Sequence, residues 1–360
     1  MKTAIRVDSS LRIGTGHVMR CLALAEELRV QGSDVYFIAR DLPGHITRTI
    51  EESGFRLHKL PAAVSKSSTW LEVDVQQDVL ETSAILKKNP PDWLVVDHYS
   101  LSDTWEEKVR PFVKALAVID DLADRKHLCD LIIDHGYHRN IESRYDHWLA
   151  GATRRLLGPK YSLLRREFAD ASARKVAELS KTFDSIFVFM GGIDATNETA
   201  KVIEAIEDDK LLRAEIVVGS NHPFRASIEK QLAGNDRLHL HVQPKDFIEL
   251  MHECDLAVGA GGTNTWERFC LGLPSIVISV AANQVESTRA LADDGYLSYL
   301  GHFDQVTPAQ IVQKVRDLAA NPPERVKLSQ RGMSLVDGLG AQRVVSEMKS
   351  FSSESGLPRR

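Results

Sequence analysis

The chain has 360 residues, which corresponds to about two domains at roughly 150 residues per domain. Its 43% hydrophobic and 26% charged residues are ordinary for a globular protein and exclude disordered and fibrous classes. The 45 Lys and Arg residues against 50 Asp and Glu residues give a net charge of −5, which argues against a nucleic-acid or anionic-membrane partner.

The sequence carries no apolar stretch long enough to span a bilayer, and its first apolar run is too short for a signal peptide. We therefore expect a cytoplasmic location without stable membrane insertion. The four scattered cysteines form no CxxC pair and predict buried small side chains. Without an HExxH, Asp-x-Asp or cysteine-cluster motif, neither a metal nor another cofactor is expected.

Short apolar strands alternate with amphipathic helices through the first half of the chain. This alternation predicts βαβ units and a parallel sheet. The predicted strands are 4–8, 34–39, 56–60, 93–97, 115–120 and 131–134, and the predicted helices are 17–31, 45–53, 71–88 and 102–112.

The same alternation returns in the second half. The predicted strands are 185–190, 215–218, 238–242, 256–258, 275–279 and 297–300, and the predicted helices are 198–207, 249–253, 265–271, 285–293, 324–335 and 340–351. We predict an α/β fold of two doubly wound Rossmann-like domains that face each other across a cleft. The predicted parts are a first domain 1–160, a linker 161–180, a second domain 181–335, and a C-terminal helix and tail 336–360.

A glycine-rich turn follows the first strand and leads into a helix. Gly14 and Gly16 would let the backbone approach a ligand, although their spacing matches neither a dinucleotide fingerprint nor a P-loop. His17 stands where the helix begins, and the positive helix end favours a neutral imidazole. Such a ring at a cleft is a candidate general base, with a capping or packing histidine as the alternative.

Two glycine turns in the second half are candidate phosphate sites. Gly191 and Gly192 precede Asp194, with Thr196 or Asn197 as a possible helix cap. In the stronger pattern, a turn of glycines and other small residues is followed by a glutamate at the start of a helix. The turn predicts diphosphate binding, and the glutamate could accept two hydrogen bonds from a ribose diol. The pattern consists of Gly261, Gly262, Thr263, Asn264 and Glu267. A favourable charge near a helix start is the alternative for the glutamate.

Other polar side chains follow predicted strands and would reach the same region. Asn283 and Gln284 could bind sugar hydroxyl or acetamido groups, or Asn283 could cap a helix. In the first half, the residues in such positions are Asp97, His98, Tyr99 and Asp120. Asp97 and Tyr99 are candidates for placing substrate or water, and His98 could be a second titrating group. Turn formation is the alternative for each of the four.

Segments spread over nearly the whole chain resemble one known family, the UDP-2,4-diacetamido-2,4,6-trideoxy-β-L-altropyranose hydrolases of pseudaminic acid biosynthesis. The similar segments are 6–10, 13–21, 95–99, 119–125, 157–165, 190–194 and 261–267. The resemblance implies a GT-B fold, similar to the N-acetylglucosaminyltransferase that makes lipid II. It also implies a metal-independent reaction on a UDP-sugar, in a pathway to flagellin glycosylation or surface polysaccharide.

The resemblance assigns roles to individual residues. His17 matches the family's catalytic base, Glu267 the ribose ligand, and Asn283 and Gln284 the amide contacts. Arg20 of the opening motif is expected at the substrate. We expect the partners to be a UDP-sugar and water, and the chain to be a monomer or weak oligomer.

Two other functions remain open from the motifs. A GT-B glycosyltransferase would use the same residues, with His17 deprotonating an acceptor hydroxyl instead of water. A nucleotide-sugar binding protein would need no base at this position.

Overall fold

The computed structural model describes residues 1–62, 70–171, 183–210 and 212–354, and all structural statements concern these residues. The chain forms two compact units. The first comprises Met1–Arg166 with Leu339–Arg360, and the second comprises Glu167–Gly338.

The first unit is built on a parallel sheet of seven strands over its described part, in the order β3-β2-β1-β4-β5-β6-β7. The strands are β1 (Lys2–Val7), β2 (Asp34–Arg40), β3 (Arg56–Leu60), β4 (Trp93–Asp97), β5 (Ala115–Ile119), β6 (Leu131–Asp134) and β7 (Arg154–Leu157). The helices that follow them are α1 (Gly16–Val30), α2 (Thr47–Glu52), α3 (Val75–Lys88) and α4 (Asp103–Val109), with the short α5 (Arg166–Asp170) where the units divide.

The second unit carries a parallel sheet that has, in its described part, six strands in the order β10-β9-β8-β11-β12-β13. The strands are β8 (Ser185–Phe189), β9 (Arg213–Val218), β10 (Leu238–Val242), β11 (Leu256–Ala260), β12 (Ser275–Ser279) and β13 (Ser298–His302). Its helices are α6 (Glu198–Ile206), α7 (Arg225–Gln231), α8 (Phe247–Glu253), α9 (Asn264–Cys270), α10 (Ala282–Asp293), α11 (Pro308–Ala319) and α12 (Pro322–Leu335).

The last helix, α13 (Gly340–Glu354), returns to the first unit. Val344, Val345 and Met348 are fully buried in the apolar cluster that also contains Ile5 and Val95. The C-terminal helix is therefore part of the core of the first unit, although it follows the whole second unit in sequence.

Central strands are buried on both faces, as covered parallel sheets require. In β1, Ile5 belongs to the cluster that packs against α1, whereas Ala4 belongs to the cluster with Trp105 of α4. Because both faces of these strands are buried, successive residues along them are apolar, and the sequence shows continuous apolar runs.

Several element boundaries differ from those predicted. The helix predicted from residue 71 begins at Val75 because the Asp74 side chain caps it, accepting from the Gln76 N–H at 2.7 Å. Strand β7 and helices α5, α7 and α11 were not predicted. The predicted linker 161–180 begins inside the first unit, where Leu163 and Leu164 are buried, and its residues 172–180 lie outside the described residues.

Within the described ranges, no helix combines the length and hydropathy that a membrane span requires.

Candidate active site

His17 lies in the first turn of α1, next to the end of β4. The parallel pairing of β1 with β4 sets Val7 opposite Asp97, so the β1–α1 loop passes over the last residue of β4. The Nδ1 atom of His17 lies 2.6 Å from Oδ1 of Asp97. The histidine is 8% exposed and the aspartate 1%. Two residues predicted from separate motifs thus form one contact.

Arg20, one helical turn after His17, holds the other side of Asp97. Its Nε donates to Oδ2 and its Nη2 to Oδ1, both at 2.6 Å. Burial would raise the pKa of the Asp97 carboxyl, but Arg20 and His17 outweigh burial and hold that pKa well below its usual range. Asp97 is therefore a permanent anion at neutral pH, and the substrate contact expected of Arg20 stays a prediction.

His135, just after β6, completes the surroundings of Arg20. Its Nε2 lies 3.3 Å from Nη1 of Arg20. Burial, together with the Arg20 charge, lowers the pKa of His135 to about 4. The ring is neutral at physiological pH, so its Nε2 accepts the hydrogen bond from the guanidinium.

Two aromatic rings flank His17. The Tyr99 ring meets it edge-on with centroids 4.7 Å apart, and the Trp70 ring lies 4.8 Å from Tyr99 and 6.0 Å from His17. Burial and the neighbouring Asp121 raise the pKa of Tyr99 well above its usual value. The phenol therefore stays protonated and can donate a hydrogen bond.

Trp70, Asp121 and His135 were not among the predicted site residues. Asp121 lies two residues after the end of β5 and His135 directly after the end of β6, so the strand-end rule that found Asp97 could have found them. Trp70 precedes α3 in a loop, and no sequence pattern indicates its position.

Other strand-end residues of the first unit have structural partners. Asp8 pairs with Arg6 at 2.5 Å, and His98 faces the same carboxylate at 3.4 Å. Asp120 pairs with Arg125 at 2.8 Å and accepts from the Tyr145 hydroxyl at 3.0 Å. Gly14 has φ +83° with open space beside it, and Gly16 begins α1, so both glycines shape the loop before His17.

The β8–α6 turn of the second unit contains Gly191, Gly192 and Asp194. The Asp194 carboxylate caps α6, accepting from the N–H of Glu198 at 2.9 Å and of Thr199 at 2.8 Å. Asn197, predicted as a possible cap together with Thr196, makes no side-chain cap bond. Asn197 therefore occupies the predicted N-cap position of α6, while the N–H groups of Glu198 and Thr199 bond to Asp194 instead of to its side chain.

The β11–α9 turn follows the neighbouring strand of the same sheet. Asn264 donates to Oε2 of Glu267 at 2.5 Å, which holds the glutamate against the turn. A Cβ on Gly261 would lie 2.5 Å from Oγ1 of Thr288, so this glycine is required by packing. Thr263 directly precedes α9 and, like Glu267, is partly exposed.

Helix α10 brings one predicted amide to this turn. The Gln284 side chain lies beside Gly261 and Gly262, and its Oε1 accepts from the Val280 N–H at 2.9 Å. Asn283 is exposed in the first turn of α10. The helix begins at Ala282, so the alternative role of Asn283 as a helix cap is wrong.

In the described part of the chain, no group of three or more His, Cys, Asp or Glu side chains is arranged to hold a metal ion.

The fold is that of the GT-B class, two α/β units with parallel sheets, which confirms the predicted fold class. The MurG structure of Acinetobacter baumannii aligns with a TM-score of 0.65 at 13% identity, covering 97% of this chain and 100% of MurG. No family model matches the chain.

Curated proteins also match by sequence. The chain is 27% identical to the spore coat polysaccharide biosynthesis protein SpsG of Bacillus subtilis over 98% of both chains. It is 26% identical to the UDP-2,4-diacetamido-2,4,6-trideoxy-beta-L-altropyranose hydrolase of Campylobacter jejuni, over 82% of this chain and 98% of that enzyme.

Proposed function

We propose that this protein is an enzyme of polysaccharide biosynthesis that acts on a UDP-sugar and hydrolyses a UDP-linked diacetamido-trideoxy hexose to the free sugar and UDP. The substrate class follows the similarity to the Campylobacter jejuni hydrolase. The 2.6 Å contact between His17 and the buried Asp97 carries the proposal, because it is the arrangement of a histidine base oriented by a carboxylate.

The first unit supplies the base in this reaction. The oxygen of a water molecule attacks the anomeric carbon while His17 takes the water proton. The C1–O bond breaks, its electron pair leaves with the β-phosphate of UDP, and the sugar is released with inverted configuration. A positioned base of this kind contributes typically 10²–10⁴-fold to the rate.

The second unit binds the UDP portion. Glu267 accepts hydrogen bonds from the ribose diol, and Gly261, Gly262 and Thr263 surround the diphosphate. The support is the partly exposed Glu267, which is held by Asn264 in the same turn as Gly262, where an added Cβ would have its nearest neighbour at 3.8 Å. The amides of Gln284 and Asn283 are proposed to contact the ligand next to this turn.

Replacing the proposed ribose ligand tests the second unit by itself. Glu267→Ala is expected to weaken UDP binding by about tenfold or more, since a charge-assisted hydrogen bond contributes roughly 1.5–3 kcal/mol. Isothermal titration with UDP measures the effect, with exposed Glu286→Ala on α10 as the control. Unchanged UDP affinity in Glu267→Ala would remove the ribose assignment.

A second candidate function is a GT-B glycosyltransferase. The observation that favours it is the match to a spore coat polysaccharide biosynthesis protein over 98% of the chain. In that reaction His17 would deprotonate a sugar hydroxyl of an acceptor instead of water.

One assay separates the candidates. The protein is incubated with a panel of UDP-diacetamido sugars in the absence of any acceptor, and free UDP is measured over time. Hydrolysis predicts UDP release without acceptor, a transferase releases UDP only when an acceptor is added, and a binding protein releases none.

A further inference from the structure

The Nδ1 atom of His17 has two neighbours with opposite requirements. Oδ1 of Asp97 lies 2.6 Å away and Nη2 of Arg20 lies 3.1 Å away. A carboxylate only accepts hydrogen bonds, whereas a guanidinium only donates them. Nδ1 cannot donate a hydrogen bond to the carboxylate and accept one from the guanidinium at the same time. Whether Nδ1 carries a proton therefore determines which of the two hydrogen bonds forms.

The charge of Asp97 decides the position of the proton. Arg20 keeps the carboxyl ionised, so the 2.6 Å contact between two acceptor atoms needs a proton on Nδ1 of His17. Nη2 of Arg20 then donates to Oδ1 of Asp97, also at 2.6 Å, and lies beside Nδ1 without bonding to it. This leaves Nε2 of His17 as the nitrogen with a free lone pair.

The orientation of the carboxylate depends on Arg20. Its Nε and Nη2 grip both oxygens of Asp97, and its Nη1 reaches His135. All of these groups are buried, with Arg20 3% exposed. A planar guanidinium fixes the plane of a carboxylate, whereas a lysine ammonium acts as a point charge and does not.

We propose that Arg20 is a positioning residue that holds Asp97 so that His17 carries its proton on Nδ1 and presents Nε2 as the base. The role of Nε2 in turnover rests on the proposed function, whereas the position of the proton does not. The titratable groups that face His17 are Arg20 on α1, Asp97 on β4, Tyr99 after β4, Asp121 after β5 and His135 after β6.

Nitrogen NMR of the imidazole rings tests the position of the proton without any substrate. In the full chain at pH 7.5, the neutral ring of His17 is expected to show the shifts of protonation on Nδ1. Assignment comes from the loss of one signal in His17→Asn. A ring protonated on Nε2 in the unmodified protein overturns the proposal before any variant of Arg20 is needed.

Variants of Arg20 test the positioning. Arg20→Gln is expected to give a mixture of ring tautomers and to lower kcat for UDP release by about tenfold or more, with KM changed by less than about threefold. The pH profile of kcat should change as well. Arg20→Lys keeps the charge without the planar fork and should recover only part of the loss. Full recovery with lysine, or an unchanged tautomer in Arg20→Gln, contradicts the positioning role.

Arg6→Gln is the matched control, because Arg6 is equally buried and pairs with Asp8 in the same sheet. It should leave the His17 tautomer unchanged, and a tautomer change in Arg6→Gln as large as in Arg20→Gln would overturn the proposal. If the protein releases no UDP while His17 carries its proton on Nδ1, the proposed function fails and the positioning by Arg20 stands.

Discussion

Asp97 and Asp134 are both buried carboxylates at the same edge of the first sheet, yet their pKa values move in opposite directions. Arg20 and His17 hold the pKa of Asp97 down. Burial raises the pKa of Asp134 to about 7, and the nearby Asp121 adds to the rise. The neighbouring charge therefore decides which of the two carboxyl groups is ionised at neutral pH.

The raised pKa of Asp134 predicts a stability that falls with pH. The folded state binds this proton more tightly than the unfolded state, so the contribution is fully present below pH ~4 and is lost as the pH rises to about 7. Asp134→Asn removes the loss. Urea unfolding at pH values from 5 to 8 measures the free energy of unfolding of both proteins. The difference between them should change in favour of the variant by up to about 1.4 kcal/mol per pH unit below pH 7.

Asp8→Asn is the control for this series. The pKa of Asp8 is held well below its usual range, despite burial, by Arg6 and His98. The contribution of Asp8 to the free energy of unfolding is lost only as the pH falls below ~4. Over pH 5 to 8 the free energy of unfolding of the variant should therefore run parallel to that of the parent. Parallel curves for Asp134→Asn as well would contradict the assignment.

For single residues, the sequence predicted which side chains lie at the candidate site but not which of them form hydrogen bonds or ion pairs with each other. His17, Asp97 and Tyr99 were predicted from the rule that ligand residues gather at the carboxyl ends of parallel strands. The pairing of Arg20 with Asp97 depends on the rotation of α1 over β4, which sequence spacing does not fix. Asp121 and His135 also follow strand ends, so the same rule could have placed them near the site, but their contacts with Arg20 depend on that rotation.

Among the elements, the end of strand β11 packs closely against Arg268 of α9, behind the candidate UDP site. A Cβ on Gly259 would overlap Nη1 of Arg268 and would come within 2.9 Å of the Phe189 carbonyl. Arg268 is fully buried, and burial lowers its pKa to about 10. This glycine therefore makes room for a buried cation behind the turn.

Gly259→Ala is expected to destabilise the second unit by about 1–3 kcal/mol, because extra volume in a packed core forces its neighbours to shift. Thermal unfolding measures the change. Gly262 lies in the turn that follows β11, where an added Cβ would have its nearest neighbour at 3.8 Å, so Gly262→Ala should stay within about 0.5 kcal/mol of the parent. Equal effects of the two substitutions would show that Arg268 is not confined by Gly259.

Element types were more predictable than element ends. The buried apolar strands were found because their patterns are continuous, whereas the charged segment of β7, with Arg154 and Arg155, gives no such signal. Helix α11 carries a signal that could have been used, since Thr307 and Gln310 form a capping box ahead of it.

For the whole molecule, the main difference from prediction is the discontinuous first unit. The alternation of strands and helices predicts two units but not that α13 crosses back to the first. Its apolar face is buried there, and the indole N–H of Trp93 donates to the Ser352 hydroxyl at 2.9 Å. Only the packing of α13 against α1 and β4 reveals this connection.

Met348→Ala is therefore expected to destabilise the first unit by about 2–5 kcal/mol through the cavity it leaves. Hydrogen exchange should become faster in the amides of β1 and β4 and stay unchanged in β8 and β11. Val315→Ala on α11 is the reciprocal control, since it removes a buried side chain from the second unit. Faster exchange in the second sheet alone after Met348→Ala would contradict the placement of α13.

The central claim concerns the imidazole of His17, and one comparison tests it most directly. His17→Asn and the parent are assayed side by side for acceptor-free release of UDP from a UDP-diacetamido sugar and for UDP affinity. We expect UDP release to fall by about 10²–10⁴-fold while UDP binds as before. A variant that binds UDP normally and releases it at nearly the parent rate would contradict the account.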